Sequence, residues 1–275
     1  MKFTISFSAI HAYLCADGYV IKNPPTQKQK YYYIGFRNYN ETLLDDFEKQ
    51  FFRCFGIKPR RCKDGRSVIQ NKSLYLELTK NYSYYSKDWT IPKLNKKQSR
   101  IWLRAYFDCE GWVISRKAKD RHIGLDSINE KGIQFIQESL LQFKIKSKLK
   151  KVKNRNLFRL LIFGKDNIKK FQKEINFLHP KKKNKIQEAI DSYIDYNWDF
   201  SDEQKLLRKL LLNKKSKRVR INSILKKNII KLSHILGKNN IHHTTHPHKN
   251  KCSNYFVLNI NMRESIEKLQ KFIKN

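Results

Sequence analysis

Two stretches whose glycines, Gly18 and Gly111, lie 93 residues apart repeat one layout, and that repeat constrains the fold more than any composition does. AIHAYLCADGYV (9–20) and IWLRAYFDCEGWV (101–113) each run an apolar helix into an acid, a glycine and an aromatic. Small residues stand four apart in each, Ala12 with Ala16 and Ala105 with Cys109. Residues four apart share a helix face, so each helix carries a seam that lets a second helix approach closely. The following segments repeat as well. YIGFRNYNETLLDDFEKQFFRCFGI (33–57) and HIGLDSINEKGIQFIQESLLQFKI (122–145) both read as a short strand, a turn and an amphipathic helix.

In the first copy RRCKDGRSVIQN and SLYLEL are predicted as the next two strand-like runs, before a further helix; in the second, SKLKKVKN and NLFRLLIF, followed by helical GKDNIKKFQKEINFL. The unit is helix, strand, strand, helix, strand, strand, helix (αββαββα), an α+β layout whose antiparallel sheet carries helices on one face and leaves the other open. A third, degenerate copy follows a linker near NWDFSDEQ. VRINSILKKNIIKLSHILGKNNI (219–241) matches residues 123–145 at a constant offset of 96, with Ile221, Ile224, Ile229, Leu236 and Ile241 in register. It lacks a helix ending in acid and glycine, so it is expected to add contacts or stability but no chemistry. The expected divisions are 1–98, 99–200 and a small α+β unit at 201–275.

Charge narrows the partner. Lys and Arg number 59 against 24 Asp and Glu, a net +35 spread along the whole length, which calls for a polyanion. An AT-rich genome would enrich Lys, but it does not explain so few acids. No apolar run approaches the ~20 residues of a spanning helix, so nucleic acid is favoured over a membrane. The open sheet faces should carry the contacts: Lys28, Lys30, Arg37, Arg60 and Arg66 in the first copy, and Lys117, Lys119, Arg121, Lys148, Lys150, Lys153 and Arg155 in the second. Five cysteines at irregular spacing, with no C-x-x-C pair, argue against a disulfide framework or zinc ribbon. A reducing, intracellular compartment is expected, and the N-terminus shows no export signal. The cluster His242, His243, His246, His248 and Cys252 fits no firm zinc pattern and reads better as a hairpin loop over nucleic acid.

Acids at the end of an apolar helix are misplaced with respect to the helix dipole. If the two seams pack together, the helix ends deliver Asp17 and Glu110 side by side, and their repulsion is relieved by divalent cations between them. Gly18 and Gly111 are then expected as left-handed caps that end the helices and bring their backbone to the same metal site. Asp108 has no acidic counterpart in copy one, where Cys15 stands, and is read as a local hydrogen-bonding residue.

IHAYLCADG and LRAYFDCEG resemble the two signature motifs of the LAGLIDADG homing endonuclease family in its single-chain, pseudo-symmetric form. The resemblance covers residues 1 to about 200, departing from the pattern at His11, Tyr13 and Cys15. It implies two saddle-like halves whose sheets lie in the DNA major groove, with the motif helices between them. It implies also that Asp17 and Glu110 bind Mg²⁺, for which Mn²⁺ or Ca²⁺ can substitute, over the minor groove, so that a monomer hydrolyses both strands of a long asymmetric site. Relatives carry a basic residue near the end of each unit, which here points to Lys93 and Lys181, with Lys96 and Lys182 next to them. The same resemblance admits an RNA-binding group I intron maturase or a catalytically silent DNA-binding regulator, and the presence of both acids favours the nuclease.

Overall fold

The computed structural model describes residues 3–116, 120–193, 200–210, 217–223, 225–249 and 254–274. The chain forms two compact units, residues 1–193 and 194–275. In the first, one repeat runs α1 (Ile5–Cys15), β1 (Gly18–Lys22), β2 (Tyr32–Arg37), α2 (Glu41–Phe55), β3 (Arg60–Cys62), β4 (Arg66–Gln70) and α3 (Lys72–Asn81). The next runs α4 (Lys96–Glu110), β5 (Gly111–Ser115), β6 (Arg121–Ser127), α5 (Glu130–Leu141), β7 (Lys148–Lys151), β8 (Phe158–Phe163) and α6 (Lys165–Glu174), and ends on a further helix, α7 (Pro180–Asp191). The two antiparallel sheets have the same order, β1-β2-β4-β3 and β5-β6-β8-β7, which gives the α+β pair of αββαββα units.

Local chemistry explains the elements. Asn40 Oδ1 caps α2 by accepting from Leu43 N at 3.3 Å, and Leu43, Leu44, Phe47 and Phe51 form its buried face. Gly56, at φ 67°, ends that helix in the left-handed conformation that a side chain would disfavour. One expectation is corrected: SLYLEL is not a strand but part of α3. Asn71 caps it from Leu74 N at 2.9 Å, and Leu74 and Leu78, four apart, are the residues it buries. Helical spacing prevails over strand propensity there, and RRCKDGRSVIQN supplies both strands of the hairpin, β3 and β4, by itself.

The core of this unit is built on α1 and α4. Every residue of α1 from Phe7 to Cys15 is buried, as befits a helix apolar all round. The two helices run parallel: near their starts Gln98 Nε2 donates to Phe3 O at 2.5 Å, and further along Trp102 Nε1 donates to His11 Nδ1 at 3.2 Å. Ala12 and Ala105 are fully buried. Because His11 Nδ1 accepts, its ring is held neutral with the proton on Nε2, and burial pushes its pKa down to about 3.

The second unit runs α8 (Glu203–Leu210), β9 (Val219–Ser223), α9 (Lys226–Lys238), β10 (Thr244–Lys249), β11 (Asn254–Ile260) and α10 (Arg263–Lys274). Its antiparallel sheet has the order β10-β11-β9, and Leu207, Leu232, Leu236, Leu258 and Leu269 lie in a core of its own. Ile224 falls outside the described residues, as does Cys252. His246 and His248 lie on the edge strand β10, and His243 Nε2 is 2.6 Å from Ser233 Oγ. Among the described residues, no group of three or more His, Cys, Asp or Glu side chains is gathered to hold a metal, and no helix is long and apolar enough to cross a membrane.

Candidate active site

Because α1 and α4 are parallel, their C-termini open at the same end. Asp17 follows α1 and Glu110 closes α4. Asn38, one residue past β2, donates from Nδ2 to Asp17 Oδ2 at 2.9 Å, while its own Oδ1 accepts from Asn40 N at 2.9 Å and so fixes the amide's orientation. Burial and then the facing charge of Asp17 push the Glu110 carboxyl up to about 7, against the pull of Lys182. Beside Asp17 an open cleft of about 450 Å³ is lined by Arg37, Asn38, Tyr39, Asn40, His179 and Lys181. Asn38 had no signal in the sequence beyond its place at the end of a repeated strand.

Gly18 and Gly111 are not left-handed caps. Gly111 is extended (φ −78°, ψ 153°), and each glycine opens a strand, paired with Phe36 and Leu125 respectively. Glycine is required for room: a Cβ would sit 2.5 Å from Leu14 Cα at Gly18 and 2.6 Å from Phe107 O at Gly111, because the strand leaves against the last helical turn. The side-chain donors are therefore two carboxylates. Such a pair of hard oxygen donors, one of them raised by burial and then by the other's charge, suits a divalent cation whose other ligands are waters and phosphate oxygens.

Asp108, read as a local hydrogen-bonding residue, in fact reaches seventy residues along the chain. Its carboxylate is 1% exposed and accepts from Leu178 N and His179 N at 3.0 Å, which pins the start of α7 to the end of α4. Burial still raises it to about 6. Lys182, two residues into α7, places its ammonium on the carbonyls of Phe107, Asp108 and Cys109 at 3.3, 2.6 and 3.1 Å. It supplies the positive charge that the end of a helix favours, and burial pulls its pKa down.

The same fold separates the candidate lysines. Lys181 lines the cleft with Asp17. Lys93 and Lys96 do not approach it: they flank Asn95, the N-cap of α4, and the 14 residues from Lys96 to Glu110 span roughly 20 Å of helix. The reason is topological. After α3 the chain must go to the start of α4, whereas after α6 it turns back as α7 against β5.

The open sheet faces follow from alternation and register. In β4, Ser67 and Ile69 are buried under the helices while Arg66 and Gln70 face out, and directly paired residues share a face. Nearest the acids, one row holds Arg37, Arg66 and Cys62, and the equivalent row holds Asp126, Arg159 and Lys150. The next rows are Tyr19, Gly35, Val68 and Arg60, and Trp112, Gly124, Leu161 and Lys148. Arg37, Arg60, Arg66, Lys148 and Lys150 thus lie on the open faces, with Lys28 and Arg155 exposed in the β1–β2 and β7–β8 loops. Arg61, one residue along, points the other way, to Glu41, Asp45 and Glu48 at 2.6–2.8 Å.

Two candidate contacts are corrected. Arg121 falls on the helix-covered side, where its guanidinium binds Ser192 Oγ and O at 2.6 and 2.7 Å. Lys30 closes its own loop by donating to the carbonyls of Pro24 and Pro25 at 3.2 and 2.7 Å. Lys117 and Lys119 lie outside the described residues. Asp126 and Arg159 were missed, although aligning IGFRN with IGLDS sets Asp126 opposite Arg37.

A family model described as a LAGLIDADG-like domain matches residues 97–176. Over 100 residues the chain is 36% identical to the replication factor C small subunit of Pyrococcus horikoshii, a match over 36% of this chain. The chain spans only 10% of that relative's length. Among solved structures it is similar to the homing endonuclease I-DmoI in complex with DNA and Ca, at 16% identity and TM-score 0.46, covering 66% of this chain and 97% of that one. It is also similar to the N-terminal LAGLIDADG domain of DUF199/WhiA, at 13% identity and TM-score 0.41, over 64% and 82%.

Proposed function

We propose that the chain is a member of the LAGLIDADG family, whose domain model matches its second repeat over residues 97–176, and that it is a site-specific endonuclease that hydrolyses both strands of duplex DNA. The observation that carries this reading is the convergence of Asp17 and Glu110, one from each repeat, at the shared end of two parallel helices, with Glu110 held near 7 by burial and its neighbour. Two carboxylates so placed in a chain of net charge +35 suit metal-assisted cleavage between two basic sheet surfaces.

Bound between Asp17 and Glu110, Mg²⁺ would polarise a phosphoryl oxygen and lower the pKa of an attacking water. The chain's own groups do the rest. Asn38 orients the Asp17 carboxylate, Arg37 and Lys181 present positive charge in the cleft to phosphate oxygens, and Lys182 and Asp108 hold the end of α4 where Glu110 must stand. The open faces, with Arg60, Arg66, Lys148 and Lys150, would follow the duplex on either side.

Asp17→Asn or Glu110→Gln should abolish cleavage while leaving duplex binding largely intact, since the lost charge holds metal rather than DNA. The measurement is single-turnover cleavage and affinity on a site selected from randomised duplex DNA, with and without Mg²⁺. Equal loss of binding and cleavage would sink the shared-site reading. A wild-type chain that binds a selected site tightly but never cuts it would identify a DNA-binding regulator instead.

A further inference from the structure

We infer that Arg159 and its counterpart Arg66 each read one guanine from the open sheet faces, so that the target carries a guanine in each half-site at positions related by the pseudo-two-fold. This rests on the duplex-DNA reading above and assigns part of its specificity.

The two arginines occupy the same register position, each in the row nearest the acids. Each is braced by an acid and an aromatic. Arg159 donates from Nε and Nη2 to the two Asp126 carboxylate oxygens at 2.7 and 2.6 Å, and its guanidinium lies 5.3 Å from the Trp112 ring centre. Arg66 pairs through Nη2 alone with Asp64 at 2.7 Å and stands beside Tyr19. Tyr19 and Trp112 are themselves equivalent, each following its motif glycine and each laying its ring over a glycine of the next strand, Gly35 or Gly124. The acids are not equivalent: Asp126 comes from β6, Asp64 from the turn between β3 and β4. The two arginines are thus held at the same place in different ways, Arg159 at two points and Arg66 at one.

The donor count says what such an arginine can recognise. Of the five N–H donors of a guanidinium, Asp126 takes one on Nε and one on Nη2, which leaves a fork of one Nη1 and one Nη2 donor directed away from the carboxylate. That fork matches O6 and N7 of guanine in the major groove. A residue meant only to attract phosphate gains nothing from a carboxylate that offsets its charge. A base reader gains from fixed orientation, because the long side chain's rotamer freedom is already lost before binding. Both side chains remain partly open, 34% exposed for Arg159 and 45% for Arg66.

The test is selection of randomised duplexes by binding alone, without cleavage, using the full chain and its Arg159→Gln, Arg66→Gln and Asp126→Asn variants, each shown to melt like the wild type. Wild type should require guanine at two positions on opposite strands, equally spaced from the centre. Arg159→Gln should lose that preference at one position and Arg66→Gln at the other, each by about 5- to 150-fold against the next base. Asp126→Asn should weaken only the Arg159 position. A uniform fall in affinity with unchanged base preference, and a salt slope shallower by about 1, would make these arginines phosphate contacts and overturn the inference. Failure of the wild type to retain any duplex would overturn the DNA reading itself, and this inference with it.

Discussion

Burial and the facing charge of Asp17 make the ionised form of Glu110 costly. Its carboxyl stands near 7 in the folded chain, against an ordinary glutamate value of about 4.3 when unfolded. A raised acid favours folding below its unfolded value and loses that contribution as pH rises through the folded one. Wild type should therefore lose stability relative to Glu110→Gln between about pH 4.3 and 7. Above pH 7.5 without divalent cations, Glu110→Gln should be the more stable by about 1–3 kcal/mol. Urea unfolding in EDTA across that range measures it, and equal stabilities at pH 8 would count against the burial of Glu110 beside Asp17. Millimolar Mg²⁺ or Ca²⁺ should raise the Tm of wild type and not that of Glu110→Gln.

His11 titrates with the opposite sign. Held neutral at the helix interface with a pKa of about 3, it must be protonated mainly in the unfolded chain once the pH falls below about 6.5. Its contribution is intact above pH 6.5 and is lost progressively toward pH 3. Replacing His11 with Gln should flatten the acid limb of stability between pH 6.5 and 4, and an unchanged limb would show that the ring is not desolvated.

Among elements, α7 distinguishes the second repeat from the first. Its start is held by three hydrogen bonds to the Asp108 carboxylate and its Lys182 covers the end of α4. Asp108→Ala would leave the buried N–H groups of Leu178 and His179 without their acceptor, at a cost of about 2–4 kcal/mol. Cleavage should fall with it, because α7 carries Lys181 into the cleft. By contrast Lys93→Ala, at the other end of α4, should leave single-turnover cleavage within about twofold of wild type at saturating DNA. A Lys93→Ala loss as large as that of Lys181→Ala would contradict the distance along the helix.

For the whole molecule, duplex affinity should fall steeply with salt: if about 8–12 phosphates are contacted, the log–log slope should be about −7 to −11. A shallow slope would point away from an extended duplex. The C-terminal unit has its own core, and a chain ending near Phe200 should fold and still cleave, with weaker binding and a slope shallower by about 0.9 for each phosphate that is no longer bound. A folded truncation that cannot cut even at saturating concentration would give the C-terminal unit a part in the active site.

By itself the sequence determined the duplicated αββαββα unit, because a repeat in register leaves few ways to bury two identical seams, and it marked Asp17 and Glu110 as the acids that repeat. The seams at Ala12 and Ala105 and the alternation of Arg66 with Ile69 could be read from spacing of four and of two alone. What only the tertiary structure decided depends on contacts between distant segments. Asp108 reaches Leu178, Arg121 turns to Ser192, Lys30 folds onto its own loop, and α7 returns to the site while the equivalent stretch of the first repeat leads away. Spacing reports which face a side chain takes, but not what lies there, so the fate of each basic residue and the bracing of Arg66 and Arg159 became visible only once the strands were paired.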